Sequence, residues 1–321
     1  MTGFRLGGSM EDALERVTSG LRQQADIQAR RGLGVPQISG KLLRPMVAWA
    51  LLPADRRRDP GGSFWSGALA IQMVHEASLL HDDVIDGASR RRGAPALHER
   101  DGVGAAVVAG DRYLTSSYVV ATEVRSRVFM ERFTRAVERT VEGEHRQGAA
   151  RGRFLDEDTY ESLIRGKSGE LFGAAAVLAS VVGGEPVPVD LGLRIGSLYQ
   201  RVDDLLDYCT SLRRDKPALQ DWRQRKWTFP LGLAGVDRWE LPEADVLNAL
   251  RTGPTPPLFQ GVVSLEDRAR RIVSDAERAI GDARDLADIL ESWCGAARTG
   301  VEHDLAATGH LDAATGLEQA S

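Results

Sequence analysis

The sequence predicts an all-α protein: a single-domain bundle of about ten or more helices around a central cavity. Three observations predict it. Apolar residues recur at three-to-four spacing through nearly the whole chain, while alternating patterns bounded by hairpin turns are almost absent. Gly- and Pro-rich punctuation falls at 31–40, 53–62, 87–102, 183–188, 212–217 and 253–257, each stretch short enough to join packed helices. No stretch has the composition of a disordered linker and no solenoid period recurs, so residues 1–321 read as one domain, with 310–321 a frayed, flexible tail.

The elements follow in order. Residues 11–30 carry Leu14, Val17, Leu21 and Ile27 on one helical face. Pro45 suits the first turn of a helix opening near Leu43 or Arg44, where a missing N–H costs nothing. Residues 61–80 are long, apolar and free of internal proline. Further helices are predicted at 104–124, 126–149, 157–182, 188–209, 217–234, 240–251, 264–281 and 284–306.

Composition narrows the function. The chain is 42% hydrophobic and 27% charged with a net charge of −5, a balance that argues against a nucleic-acid partner. Cys209 and Cys294 stand far apart in no metal-like spacing, which excludes a disulfide framework and a zinc knuckle and points to a reducing, cytoplasmic location. The N-terminus lacks the apolar run of a signal peptide, and no stretch is long enough for a transmembrane segment. Only four of the 41 basic residues are lysines (Lys41, Lys167, Lys216 and Lys226), and where so many are arginine the surviving lysines draw scrutiny.

The first sharp feature is Leu80-His81-Asp82-Asp83-Val84-Ile85-Asp86. On a helix Asp82 and Asp86 share a face, with Asp83 turned about 100° away at the rim. Carboxylates one turn apart repel unless a cation lies between them, and oxygen-only ligation suits Mg²⁺. Alone this could be a solvated acidic helix end, or, with His75 and the His81-Asp82 doublet, a histidine-ligated metal phosphohydrolase of the HD type. The second feature changes the odds. The same spacing returns at Asp203-Asp204-x-x-Asp207, with Gln200 a turn before it. Two such helices facing each other place carboxylates on opposite walls of a cavity, which calls for several cations and a polyanion between them. Phosphate-binding cations accompany the acidic clusters: Lys41 and Arg44 at a helical start, Arg91 and Arg92 after the first cluster, Lys167 beside Ser168 mid-helix, and Lys226 after the second.

Taken together, GKLLRP at 40–45, HEASLLHDDVID at 75–86, RRG at 91–93, VVAGD at 107–111, EGEHRQ at 142–147, KSGELF at 167–172 and QRVDDLLD at 200–207 resemble the trans-isoprenyl diphosphate synthases, the polyprenyl synthetase family. The resemblance runs in order from about residue 36 to 235 and implies the isoprenoid synthase fold. It implies that Asp82, Asp83, Asp86, Asp203, Asp204 and Asp207 bind magnesium, three ions per active site, bridging to an allylic diphosphate. Arg91, Lys167, Ser168, Gln200 and Lys226 then match the allylic diphosphate site, and Lys41, Arg44, His75 and Arg92 the isopentenyl diphosphate site. Asp82, Asp83, Asp86, Lys167, Gln200, Asp203 and Lys226 would carry catalysis.

The implied reaction is head-to-tail condensation of isopentenyl diphosphate with a dimethylallyl, geranyl, farnesyl or geranylgeranyl diphosphate. In this family a large aromatic five residues before the first aspartate, about 7.5 Å along the helix, blocks the growing tail. Here that residue is Ala77, preceded by Met73 and Val74 and followed by Ser78. A floor must come from lower down, from Met73 or from Tyr113 or Tyr118, so the expected product is all-trans and at least twenty carbons long. The resemblance also implies a homodimer, with 104–124 among its contact surfaces. Two alternatives stay open: a class I terpene cyclase, and a modified partner subunit of a heteromeric synthase. Two departures stand out. The family's Gly-Lys-x-Thr-x-Pro reads Arg225-Lys226-Trp227-Thr228-Phe229-Pro230, and its Gly-Lys-Pro reads Asp215-Lys216-Pro217.

Overall fold

The computed structural model describes residues 8–210 and 218–309. The helices are α1 (Gly8–Arg30), α2 (Leu43–Ala50), α3 (Gly62–Ile85), α4 (Leu97–Asp101), α5 (Val103–Ala121), α6 (Arg127–Ala149), α7 (Glu157–Ile164), α8 (Glu170–Gly183), α9 (Val189–Asp207), α10 (Gln220–Arg223), α11 (Phe229–Leu233), α12 (Glu243–Arg251), α13 (Pro257–Ile280) and α14 (Arg284–Ala307). The strands among the described residues are β1 (Arg90–Arg91) and β2 (Ala94–Pro95), an antiparallel pair. Arg92 (φ 50°) and Gly93 (φ 80°) turn between them in the left-handed region that two-residue hairpin loops require. Four residues are too few to leave an alternating pattern, so this pair was invisible beforehand. No described helix is long and apolar enough to cross a membrane.

Local chemistry sets several boundaries. Ser126 caps α6 by accepting from the Phe129 N–H at 3.2 Å, and Asp156 caps α7 by accepting from the Thr159 N–H at 2.7 Å. Pro230 and Pro257 sit in the first turns of α11 and α13, so α13 begins seven residues ahead of the predicted 264. The predicted helix 157–182 is divided by a π-turn at Arg165–Gly169, and 217–234 is broken by Leu219 (φ 63°) and Arg225 (φ 52°). Lys216 and the tail 310–321 lie outside the described residues.

The buried apolar residues form one contiguous cluster. At its centre lies α8, buried from Glu170 to Ala179 and packed against α2, α3, α6 and α9. It is the wall shared by the two helices that end in the acidic motifs, α3 and α9. A second tie runs across the ends of the chain: the buried Arg57 guanidinium donates to the Leu52 carbonyl, the Asp282 carbonyl and the Asp285 carboxylate, fixing the α2–α3 turn to the α13–α14 turn.

Candidate active site

Asp82, Asp83 and Asp86 close the C-terminal end of α3. The helical turn between neighbours sends Asp83 inward rather than to the rim where the sequence placed it: its side chain is 4% exposed. The β1–β2 hairpin folds back over the helix end, and Arg91 Nε donates to both Asp83 oxygens at 3.0 and 2.9 Å. Arg91 is therefore the partner of a motif aspartate. Asp86 points the other way, with Arg151 Nη2 2.7 Å from Oδ1 and Lys226 Nζ 3.6 Å from Oδ2. Burial opposes ionisation of Asp86, but Lys226 and Arg151 outweigh it and hold the carboxyl below its usual range. Asp82 accepts no side-chain hydrogen bond among the described residues; burial, with Glu144 and Asp86 nearby, pushes its carboxyl up against the pull of Lys167.

Lys167 and Ser168 ride on the π-turn, whose extra residue re-aims side chains that a regular helix would spread around its axis. Two glycines let the turn come this close. A Cβ on Gly143 of α6 would lie 2.4 Å from the Lys167 nitrogen, and one on Gly196 of α9 would lie 2.6 Å from Gly169 Cα. Lys167 Nζ pairs with Glu144 and donates to Gln147 Oε1 at 2.8 Å. Burial lowers its affinity for a proton, but Asp82, Glu144 and Asp86 together raise it, so the ammonium stays charged.

At the second motif Ser168 Oγ donates to Gln200 Oε1 at 2.6 Å, and Gln200 Nε2 donates to Asp204 Oδ1 at 2.7 Å. The Tyr160 hydroxyl donates to the other Asp204 oxygen at 2.6 Å. Burial pushes this enclosed carboxyl up to about 6, beyond what those two hydrogen bonds restore, with Asp203 and Asp207 adding to the rise. Asp83 and Asp204 thus have their oxygens engaged by protein donors, as Asp86 has by Arg151 and Lys226. Asp203 is exposed. Asp207 holds the chain that follows: Oδ2 accepts from the Asp221 N–H at 2.9 Å and its carbonyl from the Leu219 N–H at 2.8 Å. The Asp221 carbonyl in turn accepts from the Lys226 N–H at 2.8 Å, which sets Lys226 between the two motifs.

The other cation set gathers between α2, α3 and the hairpin. Arg44 is 8% exposed, its guanidinium lies 5.1 Å from the Phe172 ring centroid, and its Nε is buried with no partner. Burial lowers it to about 10. Burial, then Arg44, Arg92 and Arg91, hold His75 well below its ordinary range, so it is neutral. Arg92 pairs with Glu76 at 3.0 Å and approaches Gly40 within 3.6 Å of its Cβ position, beside the exposed Lys41. All four sequence-selected residues fall at this end.

Of the chain-length residues, Met73, Val74 and Ala77 are buried, Ser78 donates to the His75 carbonyl at 2.9 Å, and Tyr118 stands edge-on to Phe133 at 5.7 Å. Tyr113 is half-buried near Glu76, and burial with that carboxylate pushes its phenol up. The Arg225 and Trp227 departures have structural accounts. Arg225 occupies the left-handed conformation that suits the family's glycine, and Trp227 packs edge-on to Tyr160 at 5.4 Å, over Gly232. Sequence reasoning missed Arg151, Tyr160 and Asp221, and quoted Glu76 only within a motif. It quoted Glu144 and Gln147 only as part of a motif, although their three-residue spacing on α6 is a legible hint.

Among the described residues no three His, Cys, Asp or Glu side chains converge into a ready metal nest. The donor set is nonetheless all oxygen, and Asp82, with no hydrogen bond to its carboxylate among the described residues, fits a hard divalent cation.

Comparison with known proteins places the chain in a family. A sequence profile described as polyprenyl synthetase matches residues 34–243. The octaprenyl diphosphate synthase of Escherichia coli K12 is 30% identical over 95% of this chain and 97% of its own. Among solved structures, heptaprenyl diphosphate synthase of Staphylococcus aureus shares the fold, with a TM-score of 0.73 at 17% identity over 89% of this chain and 98% of its own. A polyprenyl synthase of Caulobacter crescentus, complexed with calcium and isoprenyl diphosphate, has a TM-score of 0.67 at 28% identity, covering 89% of this chain and 94% of its own. With a profile match over well more than half of its length and a relative of this identity along almost its full length, the chain belongs to the polyprenyl synthetase family.

Proposed function

We propose that the protein is a prenyltransferase that condenses isopentenyl diphosphate head to tail with an allylic diphosphate, giving an all-trans polyprenyl diphosphate of twenty carbons or more. One observation carries this reading: two separate cation sets, Lys167 with Lys226 beside Asp82 and Asp86, and Arg44 with Arg92 beside His75. Two diphosphates need two such sets. The carboxylates of the two motifs, Asp82, Asp83, Asp86, Asp203, Asp204 and Asp207, would hold magnesium ions, three per site in the family's pattern, with Asp83, Asp204 and Asp207 also bracing the helix ends. When bound, magnesium would supply charge neutralisation for the departing diphosphate.

The chain's own groups do the rest. Lys167 and Lys226 take the diphosphate oxygens as the allylic C–O bond breaks, where negative charge develops. Gln200, fixed by Ser168 and Asp204, presents its amide to the reacting carbons. Arg44, Arg92 and Lys41 hold the second diphosphate so that its double bond attacks the allylic cation. The proton then lost from the new chain goes to the pyrophosphate just released. Ala77 puts no large side chain in the first helical turns below Asp82, consistent with a relative named for an eight-unit product.

Exposed valines on α5, Val108 at 66% and Val119 at 45%, support a homodimer through this helix, and a mass that stays monomeric at every concentration would refute that part. Two buried free cysteines suit a cytoplasmic setting. The primary test is turnover of labelled isopentenyl diphosphate with each allylic primer, with and without chelator. Asp82→Ala should lose at least about a thousandfold in kcat with unchanged helicity. Full activity in excess chelator, or in that variant, overturns the proposal.

A further inference from the structure

We infer that Arg151 is a third cation of the allylic diphosphate site, delivered together with Lys226 by a bond between the two turns that carry them. The inference rests on the function proposed above and adds a residue to it. Arg151 lies beyond the C-terminus of α6, in a turn for which no motif gave a role. Its Nη2 donates to Asp86 Oδ1 at 2.7 Å, while Lys226 Nζ reaches the other oxygen of the same carboxylate at 3.6 Å. The two turns are joined: the Gly152 N–H donates to the Arg225 carbonyl at 2.8 Å, so the residue after Arg151 grips the residue before Lys226. Gly152 (φ 78°) and Arg225 (φ 52°) both adopt the left-handed conformation that this close pairing uses.

A metal ion on Asp86 competes with these two cations for the same two oxygens. When Asp86 turns to the metal both cations need another anion, and the diphosphate at the same mouth is the one available. Arg151 has a donor to spare, because its Nε is buried and has no acceptor among the described residues. A guanidinium releasing Nη2 and offering Nε beside it presents the planar fork that fits two phosphate oxygens, which an ammonium cannot reproduce. Lys226 also faces Asp221, and Lys167 is held by Glu144 and Gln147, so of the three cations Arg151 alone has a buried N–H still to satisfy.

The test compares wild type, Arg151→Ala, Arg151→Lys and the exposed neighbour Arg153→Ala in two measurements. One is steady-state kinetics with geranyl and isopentenyl diphosphates; the other is calorimetric binding of inorganic pyrophosphate in magnesium. Arg151→Ala should raise the KM for the allylic substrate and the Kd for pyrophosphate about tenfold each, with the KM for isopentenyl diphosphate unchanged. Arg151→Lys keeps the charge without the fork and should fall between, about threefold, while Arg153→Ala behaves as wild type. Equal movement of both substrates, an unchanged pyrophosphate Kd, or an Arg151→Ala protein that only binds magnesium more tightly would overturn the inference and leave Arg151 a counter-ion of Asp86. If Arg151→Ala fails to fold, the lysine variant and its pyrophosphate Kd decide. If wild type does not condense the substrates, the proposed function fails while the pyrophosphate measurement still judges Arg151.

Discussion

Gly143→Ala adds a single methyl group directly against the π-turn that carries Lys167. The added carbon would stand 2.4 Å from the Lys167 nitrogen, 2.7 Å from the Gly166 carbonyl carbon and 2.8 Å from Lys167 Cα. All three are backbone atoms, so no flexible side-chain end can yield. Ordinary contact begins at 3.4 Å, and the turn must therefore retreat by about 1 Å. Overpacking of this kind costs about 1–3 kcal/mol, of which the better helix propensity of alanine returns about 1. Stability should accordingly fall by no more than about 2 kcal/mol. Activity should suffer more, because a displacement of about 1 Å at a positioned catalytic group costs on the order of a hundredfold. Urea unfolding followed by circular dichroism measures the first quantity, and kcat at saturating substrates measures the second. A variant that keeps more than half of wild-type kcat would refute the claim that Gly143 sets the position of Lys167.

Three further outcomes are expected. Arg225→Gly relieves a left-handed arginine and should stabilise the protein by up to about 1 kcal/mol in urea unfolding; a lower midpoint would show that the Arg225 side chain contributes more than its backbone strain costs. Ala77→Phe should shorten the product on reversed-phase chromatography by filling the path about 7.5 Å below Asp82, and an unchanged distribution would mean that the tail leaves by another route. Cys294, buried and pushed up to about 12, is only about one part in ten thousand thiolate at pH 8, so native protein should resist a thiol reagent that titrates both cysteines in denaturant; rapid native reaction at Cys294 would contradict its burial.

The helices and both aspartate-rich motifs were legible because each leaves a periodic or repeated pattern along the chain. The two helix ends are alike as strings and unlike in space. Asp83 meets Arg91 because a hairpin of four paired residues returns over it, and Asp204 meets Tyr160 because α7 crosses α9 there. Spacing places such residues on a helical face but says nothing of which neighbour covers that face. The π-turn was hidden for a related reason: residues 157–183 have the apolar content of one helix, and only the close approaches at Gly143 and Gly196 reveal the extra residue. Arg151 left no pattern because its role depends on a turn bonded to another turn some seventy residues later.

The Arg57 tie bears on how the protein is made. Residues 34–243 contain every motif, yet a guanidinium buried among them finds its carboxylate and one of its carbonyl partners only at Asp285 and Asp282. Asp304 closes a similar debt, accepting from Arg251 at 2.6 Å and from the Thr210 N–H at 2.8 Å, just past the second acidic motif. On the ribosome the motif-bearing segment emerges first and must wait, with Arg57 still hydrated, until α13 and α14 have been synthesised. A fragment ending after residue 243 would carry the full catalytic vocabulary and lack the counter-charges that let its N-terminal half close. Chains that stop before residue 282 lack both Asp282 and Asp285, so the buried Arg57 pairing forms only late in translation.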